Sequence, residues 1–176
     1  DETIIRLEGI PVHSRFTPCI ANEKQPLRLA LGLDPDRFTV LINAGWIGGG
    51  NIQTLMTDLL YALPSDLAER FQFVFISGKN KLLHASMDKS SLNSTVPVHV
   101  LGSCESLHPY MQAADVMISK FGGLTTFEAL ASGLPIIGDA LTEPMPQEAY
   151  TSTYVNETGA GLLLHQPNEL IPLLRR

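Results

Sequence analysis

Six short apolar runs are spaced along the chain: FTVLINA (38–44), FQFVFIS (71–77), VPVHVLG (96–102), DVMIS (115–119), LPIIG (134–138) and GLLLH (161–165). Segments of helical character separate them, near 51–63, 80–88, 106–114, 124–132, 147–157 and 167–175. The runs are continuously apolar, the pattern of strands covered on both faces, and their alternation with helices predicts a parallel sheet. The expected fold class is therefore α/β, a Rossmann-like three-layer α/β/α domain. Ligands of such sheets bind beyond the carboxyl ends of the strands. The loops at 43–51, 77–81, 101–106 and 119–126 all follow strand-like runs, so one crevice is expected to gather them.

The stretch SKFGGLTTFEALASGLPIIG (119–138) carries the sharpest chemistry. A strand-like run ends where Gly122 and Gly123 let the backbone turn, and a helical pattern begins at Leu124. A helix start presents unpaired N–H groups and the positive end of its dipole, and residues without side chains let phosphate oxygens come close. Glu128 lies about one turn further on, too far to cap the first turn. A carboxylate beside a diphosphate would be repelled by it, and its use there is to accept two hydroxyls, as from a ribose diol.

The pattern GG-LTT-EALA-G-P, followed by PQEAY at 146–150, resembles the donor-binding, C-terminal half of GT-B glycosyltransferases. It is most similar to inverting family 28, which holds the diacylglycerol glycosyltransferases, such as monogalactosyldiacylglycerol synthase, and the MurG-type enzyme. The resemblance implies that Glu128 holds the uridine ribose, that Gly122, Gly123, Leu124, Thr125 and Thr126 cradle the diphosphate, and that Gln147 and Glu148 meet the sugar hydroxyls. By the same resemblance Gly102 and Ser103, in the V-x-V-L-G-S-C turn (98–104), belong to a loop that reads the base through backbone groups. Residues 1–16, which contain GIPVHSRF, resemble the interdomain connector. His13 stands where relatives carry Arg, and Arg15 is the alternative cation. The expected organisation is a connector (1–16), a nucleotide-sugar-binding domain (17–176) and an N-terminal acceptor domain outside this chain.

Other motifs add less. NAGWIGGGN (43–51) sits between strand and helix as a cleft loop would, with Gly45, Trp46, Gly48 and Gly49 as candidates, but matches no phosphate-binding fingerprint. In family 28 a small residue stands where Trp46 is. SGKNKLL (77–83) provides a turn at Gly78 and a helix cap at Asn80. Asp34 and Asp36 form an Asp-x-Asp string, yet they precede the first strand, opposite the expected crevice, and Asp-Pro opens turns. His84, His99, His108 and His165 have no ligand spacing, and Ser119 is not in a nucleophile elbow.

Composition narrows the class. With 176 residues, 44% of them hydrophobic and 17% charged, the chain suits one folded domain. Twelve basic against eighteen acidic residues, net −6, argue against nucleic acid as a partner. Cys19 and Cys104 suit reduced thiols in the cytoplasm. No apolar run approaches the roughly 18–20 residues that span a bilayer.

The expectation is a UDP-sugar-binding domain of an inverting hexosyltransferase that transfers a hexose or N-acetylhexosamine to a lipid acceptor such as diacylglycerol. No cofactor or metal is expected, and the full-length protein is expected to lie at a membrane surface. Retaining relatives often carry Glu eight residues before the ribose-binding Glu, where this chain has Lys120. No catalytic residue is expected in the chain itself, since the resemblance assigns the base to the N-terminal domain. The alternatives are a stand-alone donor-binding subunit with a membrane partner, a natural-product glycosyltransferase and a UDP-sugar epimerase.

Overall fold

The computed structural model describes residues 10–45, 51–141 and 146–176, the side chain of Gln147 excepted. All six apolar runs are strands: β1 Phe38–Asn43, β2 Phe71–Ile76, β3 Val98–Leu101, β4 Val116–Ser119, β5 Ile136–Asp139 and β6 Gly161–Leu164. They form one parallel sheet in the order β3-β2-β1-β4-β5-β6. The helices described are α1 Lys24–Ala30, α2 Ile52–Ala62, α3 Ser65–Ala68, α4 Lys81–Ser91, α5 His108–Ala113, α6 Gly123–Ala131, α7 Pro146–Glu157 and α8 Leu170–Leu174.

Strand alternation divides the core in two. Val40, Ile42, Phe73, Phe75, Ile118 and Ile137 face α2, α3, α4 and α8. Leu41, Val74, Met117 and Ile136 face Met111 of α5 and Ala129 of α6. Both sheet faces are thus buried, which is why the strands read as unbroken apolar runs; each fully buried large side chain contributes roughly 1.5–3 kcal/mol.

Two helices escaped the periodicity. Helix α3 spans four residues. Helix α1 has seven residues, with Pro26 in its first turn, where a missing N–H costs nothing. Its anchor is tertiary: Arg28, 6% exposed, donates to the Ala113 and Pro35 carbonyls and to the Asp115 carboxylate. Asp115 also accepts from Lys24 Nζ at 2.6 Å and from the Thr39 N–H at 2.7 Å. One carboxylate thereby ties α1, β1 and the entry to β4 at the amino end of the sheet.

At that end lies an open depression of about 570 Å³ lined by Arg28, Asp34, Arg37, Arg70 and Asp115. Its two aspartates before β1 are engaged locally: Asp34 accepts from Arg37 at 3.2 Å and from the Asp36 N–H at 3.0 Å, and Asp36 accepts from Gln25. Asp34 and Asp36 thus shape a turn, opposite the strand ends that carry the motif loops.

Candidate functional site

The strand order changes direction between β1 and β4, since β2 and β3 lie to one side and β5 and β6 to the other. Such a switch point opens a crevice beyond the carboxyl ends of the two strands. The register pairs Asn43 with Ser119, so the turn at Gly45 and the segment from Lys120 to Gly123 leave the sheet side by side. Gly45 has φ +80°, a conformation that favours glycine, and its N–H donates to Asn43 Oδ1 at 2.9 Å. Trp46, Gly48 and Gly49 lie outside the described residues.

Helix α6 begins as the motif predicts. Its first i to i−4 bond runs from the Thr126 N–H to the Gly122 carbonyl at 3.0 Å, and no side chain caps it. The N–H groups of Gly123, Leu124 and Thr125 therefore stand ahead of the helical ladder, free for an acceptor. Gly122 has an ordinary φ of −61°, so it is not there to permit an unusual turn. A Cβ at Gly122 or Gly102 would meet no atom of the described residues within 4 Å, so among them the missing side chains leave open room beside the backbone. At Gly123 a Cβ would come within 3.0 Å of Ile10 Cδ1, so the connector covers one side of the helix start. Sequence reading had no signal for that contact.

The side chains of the motif separate. Leu124 is 55% exposed and Thr125 is half-buried, but Thr126 is 0% exposed and its hydroxyl has no hydrogen-bond partner among the described residues. The Thr126 side chain lies inside the fold and its N–H is spent on the helix, so it takes no part in a surface cradle. Glu128 is half-buried, and its carboxylate has no hydrogen bond or ion pair among the described residues. Burial pushes its pKa up from the ordinary carboxylate range. Ser103 is exposed and Gly102 half-buried in the turn after β3. Just beyond, Ser106 Oγ lies 2.9 Å from His108 Nδ1, and Phe16 of the connector meets the His108 ring edge-on. Burial, then the charges of Arg15 and His13, lower the His108 pKa. Glu148 is half-buried in the first turn of α7; only the backbone of Gln147 is described.

The neighbouring loop is scaffold. Gly78 turns with φ +63°, and Asn80 caps α4 by accepting from the Leu83 N–H at 2.9 Å. Two further groups at the strand ends were not singled out as site residues by the sequence. Lys120 is half-buried with no hydrogen bond or ion pair among the described residues. Asp139, 7% exposed, accepts the Leu141 N–H at 3.0 Å through Oδ1, while Oδ2 is buried without a partner among the described residues. Among the described residues no group of three or more His, Cys, Asp or Glu side chains is placed to hold a metal ion.

Known proteins were compared with this chain. The glycosyltransferase family 28 C-terminal domain matches residues 47–166. A probable chloroplastic monogalactosyldiacylglycerol synthase 2 from Oryza sativa subsp. indica is 35% identical over 94% of this chain and 34% of its own length. A processive diacylglycerol beta-glucosyltransferase from Staphylococcus aureus strain Newman is 32% identical over 99% of this chain and 42% of its own. The chain thus spans well under half the length of these relatives. Among solved structures, WaaG, a glycosyltransferase involved in lipopolysaccharide biosynthesis, superposes with a TM-score of 0.68 at 19% identity, covering 93% of this chain and 44% of WaaG. Anabaena HepE, solved with UDP-glucose, gives a TM-score of 0.54 at 16% identity, covering 82% of this chain and 46% of HepE. At those identities the superpositions show a shared fold.

Proposed function

The chain belongs to the glycosyltransferase family 28 C-terminal domain family, and from that premise we propose that it is the UDP-sugar-binding half of an inverting hexosyltransferase acting on a lipid acceptor such as diacylglycerol. One observation carries the donor reading. At the switch point of the sheet, the N–H groups of Gly123, Leu124 and Thr125, outside the helical ladder, stand within the same short helix as a half-buried carboxylate, Glu128, that has no partner among the described residues. The first arrangement suits an anion and the second suits a pair of hydroxyl donors, and a nucleoside diphosphate offers both on one molecule. HepE, a neighbour in fold, was solved with UDP-glucose, which supports a uridine nucleotide.

In this reading the diphosphate lies on the α6 start, the ribose diol on Glu128 and the base on the turn at Gly102 and Ser103. The sugar reaches the start of α7, where Gln147 and Glu148 stand. Helix α6 supplies only ~+0.5 of a charge, so side-chain cations at the crevice share in neutralising the leaving diphosphate, and no metal is required. The names of the relatives support a lipid acceptor. In inverting transfer a base takes the proton of the acceptor hydroxyl while the nucleoside diphosphate departs from the opposite face of the sugar. That base and most of the acceptor site belong to the part of the relatives that this chain does not span. The working protein lies at a membrane surface; no helix among the described residues is long and apolar enough to cross one.

Glu128→Ala tests the reading. Hydrogen bonds to a charged acceptor are each worth about 1.5–3 kcal/mol, so UDP affinity is expected to fall about ten- to a hundredfold with the fold intact. The native chain is expected to bind 2′-deoxy-UDP more weakly than UDP, and the Ala variant to treat them alike, by calorimetric titration. Equal discrimination in both proteins removes Glu128 from the ribose.

A further inference from the structure

The three most exposed large apolar side chains among the described residues stand on one flank of the sheet. Tyr61, Leu82 and Leu92 are 84%, 85% and 82% exposed. Leu82 lies in the first turn of α4 and Leu92 just past its last residue, while Tyr61 lies in the last turn of α2, which packs beside α4. A small cleft lined by Thr57, Tyr61, Ser90 and Asn93 joins the two helices. At about 100° per residue, Leu92, Ala85, Lys89 and Leu82 fall within an arc of about 80° on α4. All four are exposed, whereas Leu83 and Met87 on the opposite side are buried in the core. Helix α4 is thus apolar on both sides, and the fold accounts only for the inner one.

Single exposed leucines are ordinary on a protein surface, but an apolar helix face interleaved with lysines has the composition of a helix that lies in a lipid headgroup layer. Segment 79–92 carries Lys79, Lys81 and Lys89 against Asp88 alone, in a chain of net charge −6. This positive excess is local, and its sign suits anionic headgroups. Lys81 and Lys89 form no ion pair among the described residues. Lysine stems can lie along apolar surface while their ammonium groups stay among headgroups, and a tyrosine ring sits at the same boundary with its hydroxyl wet. Other occupants fit less well. A second copy seated on this face by a two-fold axis would set the same lysines against each other. The connector lies on the other side of the sheet, where Phe16 packs with Met111 and Ala129, so a domain carried on it meets that side first.

We propose that this flank docks on a bilayer surface bearing anionic lipids, with Tyr61, Leu82 and Leu92 as apolar contacts and Lys81 and Lys89 as charges, a contact that rests on and deepens the reading of the working protein as a membrane-surface enzyme. Helix α4 links the parallel strands β2 and β3 and therefore runs back along the sheet. With this flank on the bilayer, the crevice beyond the strand ends opens along the lipid surface.

Cosedimentation with vesicles tests the contact. The chain is expected to bind mixed phosphatidylcholine and phosphatidylglycerol vesicles at least about tenfold more tightly than phosphatidylcholine alone. Leu82→Ser combined with Leu92→Ser, and separately Lys81→Gln combined with Lys89→Gln, are each expected to weaken that binding about tenfold. Tyr150→Ser, which removes an exposed ring from α7 on the other side of the sheet, is expected to change it by less than about twofold. Equal binding to both kinds of vesicle, native binding by either double variant, or an equal loss in Tyr150→Ser overturns the proposal. So does a chain that binds no vesicle, or one whose Leu82 and Leu92 face closes a dimer in sedimentation instead. The wider membrane reading is tested apart, on the full-length protein: if that protein binds the vesicles and its double variants bind as well, only this flank is removed, whereas no binding by the full-length protein removes the membrane reading itself.

Discussion

Thr126 shows where a residue's type and its role part company. Thr125 and Thr126 read as an equivalent pair in the sequence, but neighbours on a helix point about 100° apart, and the fold turns Thr126 inward, fully buried with a hydroxyl unsatisfied among the described residues. Thr126→Val, which keeps the shape and discards the orphan hydroxyl, is expected to raise stability by about 1 kcal/mol in urea unfolding while UDP affinity stays within twofold. A marked loss of UDP affinity would show that the hydroxyl turns outward to the ligand. At this scale the sequence revealed whatever depends on local geometry, such as the Asn80 cap and the position of Glu128 within α6. It did not reveal that residues 120 and 139 follow neighbouring strand ends, because only the β4–β5 register brings those segments side by side.

At the scale of elements, the turn from β4 into α6 is set by one ring. Phe121 is 2% exposed, and a Cβ placed on Gly138 would lie 1.7 Å from its Cζ, so β5 can carry only glycine there while the ring stays. Gly138→Ala is expected to cost about 1–3 kcal/mol by forcing the ring out, and to weaken UDP as well, since Phe121 lies between Lys120 and the α6 start. Adding Phe121→Leu is expected to restore part of the stability, a pattern that chemical denaturation of the single and double variants would reveal. Strand existence was legible because both sheet faces are buried, which writes each strand as an apolar run. Helix α1 was not, because seven residues around a proline hold no periodicity, and its stability comes from Arg28 and Asp115, residues 87 apart in the chain.

Across the whole molecule, the two ends of the sheet are built differently. The amino end is closed by Asp115 with Arg28, Lys24 and the Thr39 N–H, whereas the carboxyl end keeps Glu128, Lys120 and one Asp139 oxygen without partners among the described residues. Asp115→Ala strands the Arg28 guanidinium, whose side chain is only 8% exposed, and is expected to cost about 3 kcal/mol in urea unfolding. Because Asp115 lies at the opposite end of β4 from the site, UDP affinity of the folded variant is expected to match the native value. The net charge of −6 makes any attraction for a nucleotide a property of the crevice rather than of the overall field.

The strand order also bears on how the chain assembles. Strands β1 to β3 pair with their successors along the chain, as do β4 to β6, and each trio is a short-range unit. Within the sheet, the β1–β4 seam, from Val40 with Val116 to Asn43 with Ser119, is the pairing that joins the two trios, and it must close a long loop before its contacts repay the lost entropy. The crevice proposed for the nucleotide opens over that seam, so neither trio alone owns it. A bound nucleotide would therefore act as a clasp on the last step of folding, adding its binding free energy against separation of the halves and nothing to the stability of either one.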